Sequence, residues 1–133
     1  FKMKDPFLFT GNQVARLLED YHKHNSLIIA FDFDNTIYDF HKKGYTFPLL
    51  TGIIKECISL GFEVFCFTAN KDYELVNKVL TELGINCKIN ESSVELGSKS
   101  KPYFNILLDD RAGLLSAFTD LTTAIRIITK EKK

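Results

Sequence analysis

The sequence predicts an α/β protein with a mainly parallel sheet, because buried strand patterns alternate with amphipathic helix patterns along its 133 residues. The clearest strand, residues 27–31, is an unbroken apolar run, which is typical of a strand covered by helices on both faces. Two acids, Asp32 and Asp34, follow at once. Ligands of open α/β sheets bind at the carboxyl ends of the strands. We therefore expect the chemistry of this protein at that edge.

The remaining elements follow from hydrophobic period and from turn residues. Pro48 suits a first helical turn, and Gly61 and Gly84 suit positions just after a helix. The predicted helices are residues 10–24, 48–60, 71–83 and 111–121. The predicted strands are residues 27–31, 63–68, 85–89, 105–108 and 124–128.

Residues 37–47 hold two aromatic-rich arms around Lys42, Lys43 and Gly44, which predicts a small hairpin or flap with its turn near Gly44. Aromatic rings in such a segment can stack on nucleobases or pack within the hairpin. We adopt packing for all four of its rings, which belong to Tyr38, Phe40, Tyr45 and Phe47.

Composition limits the classes of function. The 17 basic and 17 acidic residues leave no net charge to attract nucleic acid or membrane generally, although a local basic patch is allowed. The size and the 45% hydrophobic content predict one domain, residues 1–133. No apolar segment approaches the length of a membrane span, and the opening residues do not resemble a signal peptide. Three cysteines without metal-binding spacing indicate buried thiols and a cytoplasmic location: Cys57, Cys66 and Cys87.

Three predicted strands end in residues that suit phosphate chemistry. Asp32 and Asp34 follow the first strand, Thr68 ends the second, and the pair Asp109–Asp110 follows a later one. Parallel strands bring these ends to one edge, where crowded carboxylates need shared protons or a cation such as Mg²⁺. A carboxylate can also attack phosphorus, while a hydroxyl and an ammonium, such as Lys101, would bind phosphoryl oxygens.

Four segments in order resemble the motifs of the haloacid dehalogenase (HAD) superfamily. They are FDFDNT at residues 31–36, FCFTAN at 65–70, Lys101 in SKPYFN, and ILLDDRAG at 106–113. Asn35 stands where glycine is usual in the first motif. The resemblance implies a Rossmann-like three-layer sandwich, with a squiggle and flap after the first strand, and a Mg²⁺-dependent phosphatase that works through an aspartyl-phosphate.

The resemblance also implies roles for individual residues. Asp32 would be the nucleophile, and Asp34 the general acid and base, with its backbone carbonyl on the metal. The implied metal ligands are Asp32, Asp34, Asp109 and Asp110, with Asp110 direct, although Asp109 and Asp110 could exchange roles. The implied phosphate-binding residues are Thr68, Ala69, Asn70 and Lys101.

Alternatives exist for three of these residues. Thr68 could instead cap the following helix, Lys99 could replace Lys101, and Arg111 could contact substrate or pair with the acids.

The intervals at residues 35–47 and 90–100 are too short to house the cap domain that many members of the superfamily carry. The resemblance therefore implies a capless member with an open site, suited to large substrates unless oligomerisation covers it. The expected partner is a phosphorylated substrate of unspecified class. Nucleic acid fits this expectation only as a phosphorylated end, and we expect no membrane partner.

Other functions use similar residues. A phosphotransferase or mutase would use the same aspartyl-phosphate. A receiver-like signalling module also combines acids, a threonine and a lysine around Mg²⁺, but in a different order along the chain and without an acid/base such as Asp34. A degenerate, non-catalytic binding protein is disfavoured, because no motif residue is missing.

Overall fold

A computed structural model of the chain describes residues 4–94 and 102–132. Within them, four parallel strands form one sheet in the order β3-β2-β1-β4. The strands are β1 (Ile28–Phe31), β2 (Glu63–Cys66), β3 (Lys88–Ile89) and β4 (Ile106–Leu108). The predicted α/β class with a mainly parallel sheet is confirmed.

Helices connect these strands and cover the sheet. After a short 3-10 turn at Pro6–Leu8, they are α1 (Asn12–His24), α2 (Pro48–Ser59), α3 (Tyr73–Leu83) and α4 (Leu114–Glu131). Helices α1 and α4 pack against each other, α4 also contacts β4, and α2 contacts β2. The arrangement is a Rossmann-like three-layer sandwich. None of the helices in the described ranges has the length and apolar character needed to cross a membrane.

The helix ends follow the local chemistry that the sequence predicts. Pro48 begins α2, where a missing N–H costs no helical hydrogen bond. Asp72 caps α3 by accepting a hydrogen bond from the N–H of Leu75 at 3.2 Å. Gly84 ends that helix with a φ of 75°, in the left-handed region that favours glycine.

Strand register brings three strand ends to the same level. Phe31, the last residue of β1, pairs with Cys66 at the end of β2 and with Leu108 at the end of β4. At the other end, buried Asn105 accepts a hydrogen bond from the N–H of Ile28 at 2.6 Å, which fixes β4 against β1. The residues that follow the three strands therefore leave the sheet side by side.

The predicted strand at residues 124–128 is wrong. Those residues belong to α4, an uninterrupted helix of 18 residues that begins at Leu114 rather than at 111. The β-branched residues of this segment favour a strand locally, but its buried side chains follow a helical period, and burial of that face stabilises the helix. The buried residues of α4 are Ala117, Leu121, Ala124, Ile125 and Ile128.

Of the two alternatives predicted for residues 37–47, the hairpin is wrong, because the described residues between β1 and α2 contain no strand, and a flap fits the loop found there. The carboxylate of Asp39 organises the segment instead. It accepts hydrogen bonds from the N–H groups of Lys43 at 3.2 Å, Gly44 at 2.7 Å and Tyr45 at 3.2 Å. Side-chain bonds of this kind replace a strand ladder with a local turn. We call residues 39–45 the flap loop.

The aromatic residues of this region divide into two groups. The ring of Tyr38 stacks on that of Phe33 with 4.9 Å between centroids, so the packing interpretation is correct for Tyr38. It is wrong for Phe40 and Tyr45, which are 51% and 62% exposed.

Candidate active site

Asp32 leaves the sheet between two strands. Its N–H donates to the carbonyl of Leu108 at 2.8 Å, which extends the β1–β4 pairing by one residue. The carboxylates of Asp32, Asp109 and Asp110 each offer one oxygen, and the three oxygens lie within 4.8 Å of one another. The acids that the sequence places at two strand ends therefore do converge.

The side chain of Thr36 joins the two acidic loops. It is completely buried, accepts a hydrogen bond from the N–H of Asp110 at 3.2 Å and donates one to Oδ2 of Asp32 at 3.4 Å. Sequence reasoning quoted this residue as part of a motif but gave it no role. A buried hydroxyl rarely lacks a hydrogen-bond partner. A threonine next to Asp32 and Asp34 was therefore the sequence feature that could have indicated a link between the acidic loops.

The surroundings of Asp32 change the proton affinity of its carboxylate. Burial, the charge of Asp109 and interactions with Asp110 raise the pKa of Asp32 from 3.8 to about 7. In residues 4–94 and 102–132, no Lys, Arg or His nitrogen lies within 4.0 Å of any of these carboxylates. Asp32 and Asp109 are partly buried, and Asp110 is exposed. Clustered carboxylates without a cationic partner in the described chain fit a cation, and an all-oxygen donor set fits Mg²⁺.

This pKa predicts how stability depends on pH without a divalent cation. The folded pKa of Asp32 exceeds the unfolded value, so the folded state binds more protons between about pH 4 and pH 7, and stability falls as pH rises through that window. Asp32→Asn removes the charge. At pH 8 in chelator we expect it to stabilise the protein by about 1–2 kcal/mol, a value discounted for the partial exposure of the carboxylate.

Thermal unfolding at pH 8 and at pH 5 checks this expectation, since the gain should shrink at pH 5, where Asp32 is mostly protonated. Glu19→Gln, at an exposed position on α1, is the matched control and should show no such gain. Equal stabilisation by Asp32→Asn at both pH values would mean that repulsion among the acids is not the cause.

Thr68 lies across the cleft from these acids. It is 8% exposed, and its Oγ1 accepts a hydrogen bond from the N–H of Asn70 at 3.0 Å. The alternative role of Thr68 as a helix cap is wrong, because Asp72 caps α3. The bond from Asn70 uses a lone pair of the hydroxyl, which can still donate its hydrogen to a phosphoryl oxygen.

Asn90, which sequence reasoning missed, fixes the peptide of Thr68. Its Oδ1 accepts from the N–H of Thr68 at 2.8 Å, and its Nδ2 donates to the carbonyl of Thr68 at 3.0 Å. The N–H of Asn90 also donates to the carbonyl of Cys66 at 2.7 Å. No sequence pattern indicates this role, which depends on β3 lying beside β2.

Six of the predicted site residues meet in a cleft of about 360 Å³. Its lining includes Asp32, Asp34, Thr68, Ala69, Asp109 and Asp110. Asn70 is outside this lining and approaches Asp34 instead, with 3.5 Å between Nδ2 and Oδ1. The side chain of Asp34 is not part of the cluster of three carboxylates. Lys101 and its alternative Lys99 lie outside the described residues.

Four further residues line the cleft: Asn35, Phe40, His41 and Arg111. Arg111 is exposed and, within the described chain, forms no ion pair with the acids. The substrate-contact alternative for Arg111 therefore remains, and its pairing with the acids is not observed.

The cysteines are poor candidates for a nucleophile. Cys57 and Cys66 are buried, and burial raises the pKa of the Cys57 thiol to about 12. Burial likewise raises the pKa of the Cys87 thiol to about 11. Thiols with such pKa values stay protonated at neutral pH, and the thiolate is the reactive form.

Comparisons with known proteins bear on the fold. No family model matches the sequence, and no curated protein matches it. A conserved protein from Bacteroides thetaiotaomicron has a similar solved structure, with a TM-score of 0.58 and 23% sequence identity, over 82% of this chain and 93% of that chain. At this identity the similarity shows the α/β fold alone, since one fold hosts many functions.

Proposed function

We propose that this chain is a Mg²⁺-dependent phosphomonoesterase of the haloacid dehalogenase type that forms an aspartyl-phosphate on Asp32. The carboxylate cluster of Asp32, Asp109 and Asp110 is the observation that carries the proposal. It lies at the carboxyl edge of a parallel sheet, where such folds bind ligands. Thr68 lines the same cleft and suits a phosphate ligand.

Asp32, Asp109 and Asp110 would hold Mg²⁺, together with the backbone carbonyl of Asp34. When bound, the ion neutralises charge on the phosphoryl oxygens and on the crowded carboxylates. Thr36 keeps the two acidic loops in register, because it bonds to Asp32 and to the N–H of Asp110. Thr36 is thus a positioning residue for the cluster.

The reaction has two steps. In the first, a carboxylate oxygen of Asp32 bonds to phosphorus, the bond to the leaving oxygen breaks, and Asp34 protonates that oxygen. In the second, Asp34 takes a proton from a water whose oxygen attacks phosphorus, and the bond to Asp32 breaks. Inorganic phosphate leaves, and both carboxyl groups return to their starting forms. Thr68, Ala69 and Lys101 would bind the phosphoryl oxygens during both steps.

The open cleft favours a large substrate. No helix or strand is inserted between β1 and α2, so nothing in that interval forms a cap over the carboxylates. A site of this shape admits a phosphate on the end or surface of a larger molecule. The free, buried thiols of Cys57 and Cys66 favour a reducing compartment, and we propose a cytoplasmic location.

Phosphate release from small phosphomonoesters, measured with Mg²⁺, with Ca²⁺ and with excess chelator, tests the proposal. We expect activity only with Mg²⁺, and inhibition by Ca²⁺, because the larger ion takes more ligands in looser geometry. Full turnover in chelator would contradict the metal assignment. Transfer of the phosphate to an acceptor other than water would identify a phosphotransferase instead.

A further inference from the structure

We propose that the flap loop binds single-stranded nucleic acid, so that the substrate is a strand with a terminal phosphate. This inference rests on the proposed phosphatase function and adds a substrate class to it. The flap loop carries exposed aromatic rings and positive charge, and it forms one wall of the cleft that holds the acids.

The flap loop has two exposed aromatic rings, and one of them lines the cleft. Phe40 is 51% exposed and lines the cleft, and Tyr45 is 62% exposed. Phe40 makes an edge contact with the ring of His41, with 5.1 Å between centroids at 90°. Large apolar rings at the mouth of a cleft indicate a binding surface, and every nucleobase offers a face on which such rings can stack.

The loop backbone is held in place before any ligand arrives. The three N–H groups that donate to the carboxylate of Asp39 belong to residues 43–45. Lys42 adopts a φ of 53° and Gly44 a φ of 82°, as the tight turn requires. A preorganised loop loses less conformational entropy on binding, so its rings and charges can contribute more to affinity.

The positive charges of the flap loop lie between its two exposed rings along the chain. Lys42 and Lys43 are exposed, and Arg111 approaches the cleft from the β4 side. Within the described part of the chain, no acid lies within 4.0 Å of their side-chain nitrogens, and the carboxylate of Asp39 is engaged by backbone N–H groups. In a chain with no net charge, the flap loop thus contributes two unpaired positive charges that can attract phosphates.

The shape of the site favours a strand over a mononucleotide. The cleft of about 360 Å³ has Phe40, His41 and Arg111 in its lining, which suits a terminal nucleotide. Lys42 and Lys43 follow in the chain but do not line the cleft. Their charge would therefore meet the next phosphates of a strand, which a mononucleotide lacks.

Binding of a dye-labelled, twelve-nucleotide single strand without a terminal phosphate, followed by fluorescence anisotropy, tests the flap loop separately from catalysis. We expect the full chain to bind it, and the double variant Lys42→Ala/Lys43→Ala to bind at least tenfold more weakly. The slope of log K against log salt should fall by about 1.4, since each lost phosphate contact on a single strand removes about 0.7. Phe40→Ala should weaken binding with little change in this slope.

The matched control is Lys55→Ala/Lys78→Ala, which removes two exposed lysines from α2 and α3 and should bind the strand as the wild type does. Equal binding by the flap-loop and control variants would overturn the inference. So would equal competition by a mononucleotide, or stronger competition by a phosphopeptide.

Measurements of turnover distinguish the proposed phosphatase function from the proposed strand binding by the flap loop. We expect kcat/KM for a 3′- or 5′-phosphorylated strand to fall at least tenfold more in the flap-loop double variant than kcat/KM for β-glycerol phosphate. Hydrolysis of β-glycerol phosphate without strand binding would retain the phosphatase and overturn the flap-loop inference. Strand binding that depends on Lys42 and Lys43, without hydrolysis of any phosphate, would retain the binding surface and overturn the phosphatase.

Discussion

Asp32→Asn should reduce turnover to background and abolish covalent phosphorylation, whereas Asp34→Asn should still become phosphorylated. The amide that replaces the carboxylate of Asp32 would have no ionised oxygen to attack phosphorus. Asp34→Asn keeps the carboxylates of Asp32, Asp109 and Asp110 and the backbone carbonyl at position 34. It loses the proton donor and the base, so we expect turnover of an alkyl phosphate to fall about 10²–10⁴-fold.

Rapid-quench mass spectrometry distinguishes these outcomes. With a leaving group that needs no proton, Asp34→Asn should accumulate a phosphate adduct on Asp32, because no base activates water for the second step. Glu19→Gln, at an exposed position on α1 outside the cleft lining, is the control and should leave adduct formation intact. An adduct on Asp34 or Asp109, or full turnover by Asp32→Asn, would contradict the assigned roles.

Sequence predicted the parts of the fold that depend on local chemistry. The apolar run before Asp32, the proline that begins α2 and the glycine that ends α3 all occupy the predicted places. The error in α4 arose because Ile125, Ile127 and Ile128 carry the β-branched side chains of a strand. Residues 117–128 bury one helical face, and packing of that face against the core outweighs local preference.

The convergence of Asp32 with Asp109 and Asp110 was predictable for a general reason. Parallel strands share one carboxyl edge, so acids at two strand ends must approach if the strands are neighbours. The link that Thr36 makes between them was not predicted, because a hydrogen bond between residues 74 positions apart depends on final loop geometry. The same limit applies to Asn90 and Thr68, which meet through the pairing of β2 with β3.

The flap loop shows where local pattern was insufficient. Alternating aromatic residues around a glycine are typical of a hairpin, and packing within it would hide the rings. The carboxylate of Asp39 instead accepts hydrogen bonds from three backbone N–H groups, which are then not available to pair the two arms as strands. The arms therefore do not pair, and Phe40 and Tyr45 remain exposed.

Lys101→Ala should reduce kcat/KM for a small phosphomonoester by about 30- to 1,000-fold, equivalent to about 2–4 kcal/mol of transition-state stabilisation. The physical reason is charge. A phosphoryl group in transfer carries negative charge on its oxygens, and the phosphate-binding candidates that line the cleft, Thr68 and Ala69, are neutral. Lys101, implied by the third motif, would supply a positive charge from the protein, although it lies outside the described residues.

Two variants make the Lys101 prediction specific. Lys99→Ala removes a lysine two positions away and should change kcat/KM very little. Arg111→Ala removes a cation that lines the cleft but makes no ion pair with the acids in the described chain, and it should affect a phosphorylated strand more than a small ester. A large loss in Lys99→Ala with none in Lys101→Ala would assign the phosphate-binding lysine of the third motif to Lys99. A large loss only in Arg111→Ala would assign the charge to the loop that follows β4, because no other cation would then stabilise the phosphoryl oxygens.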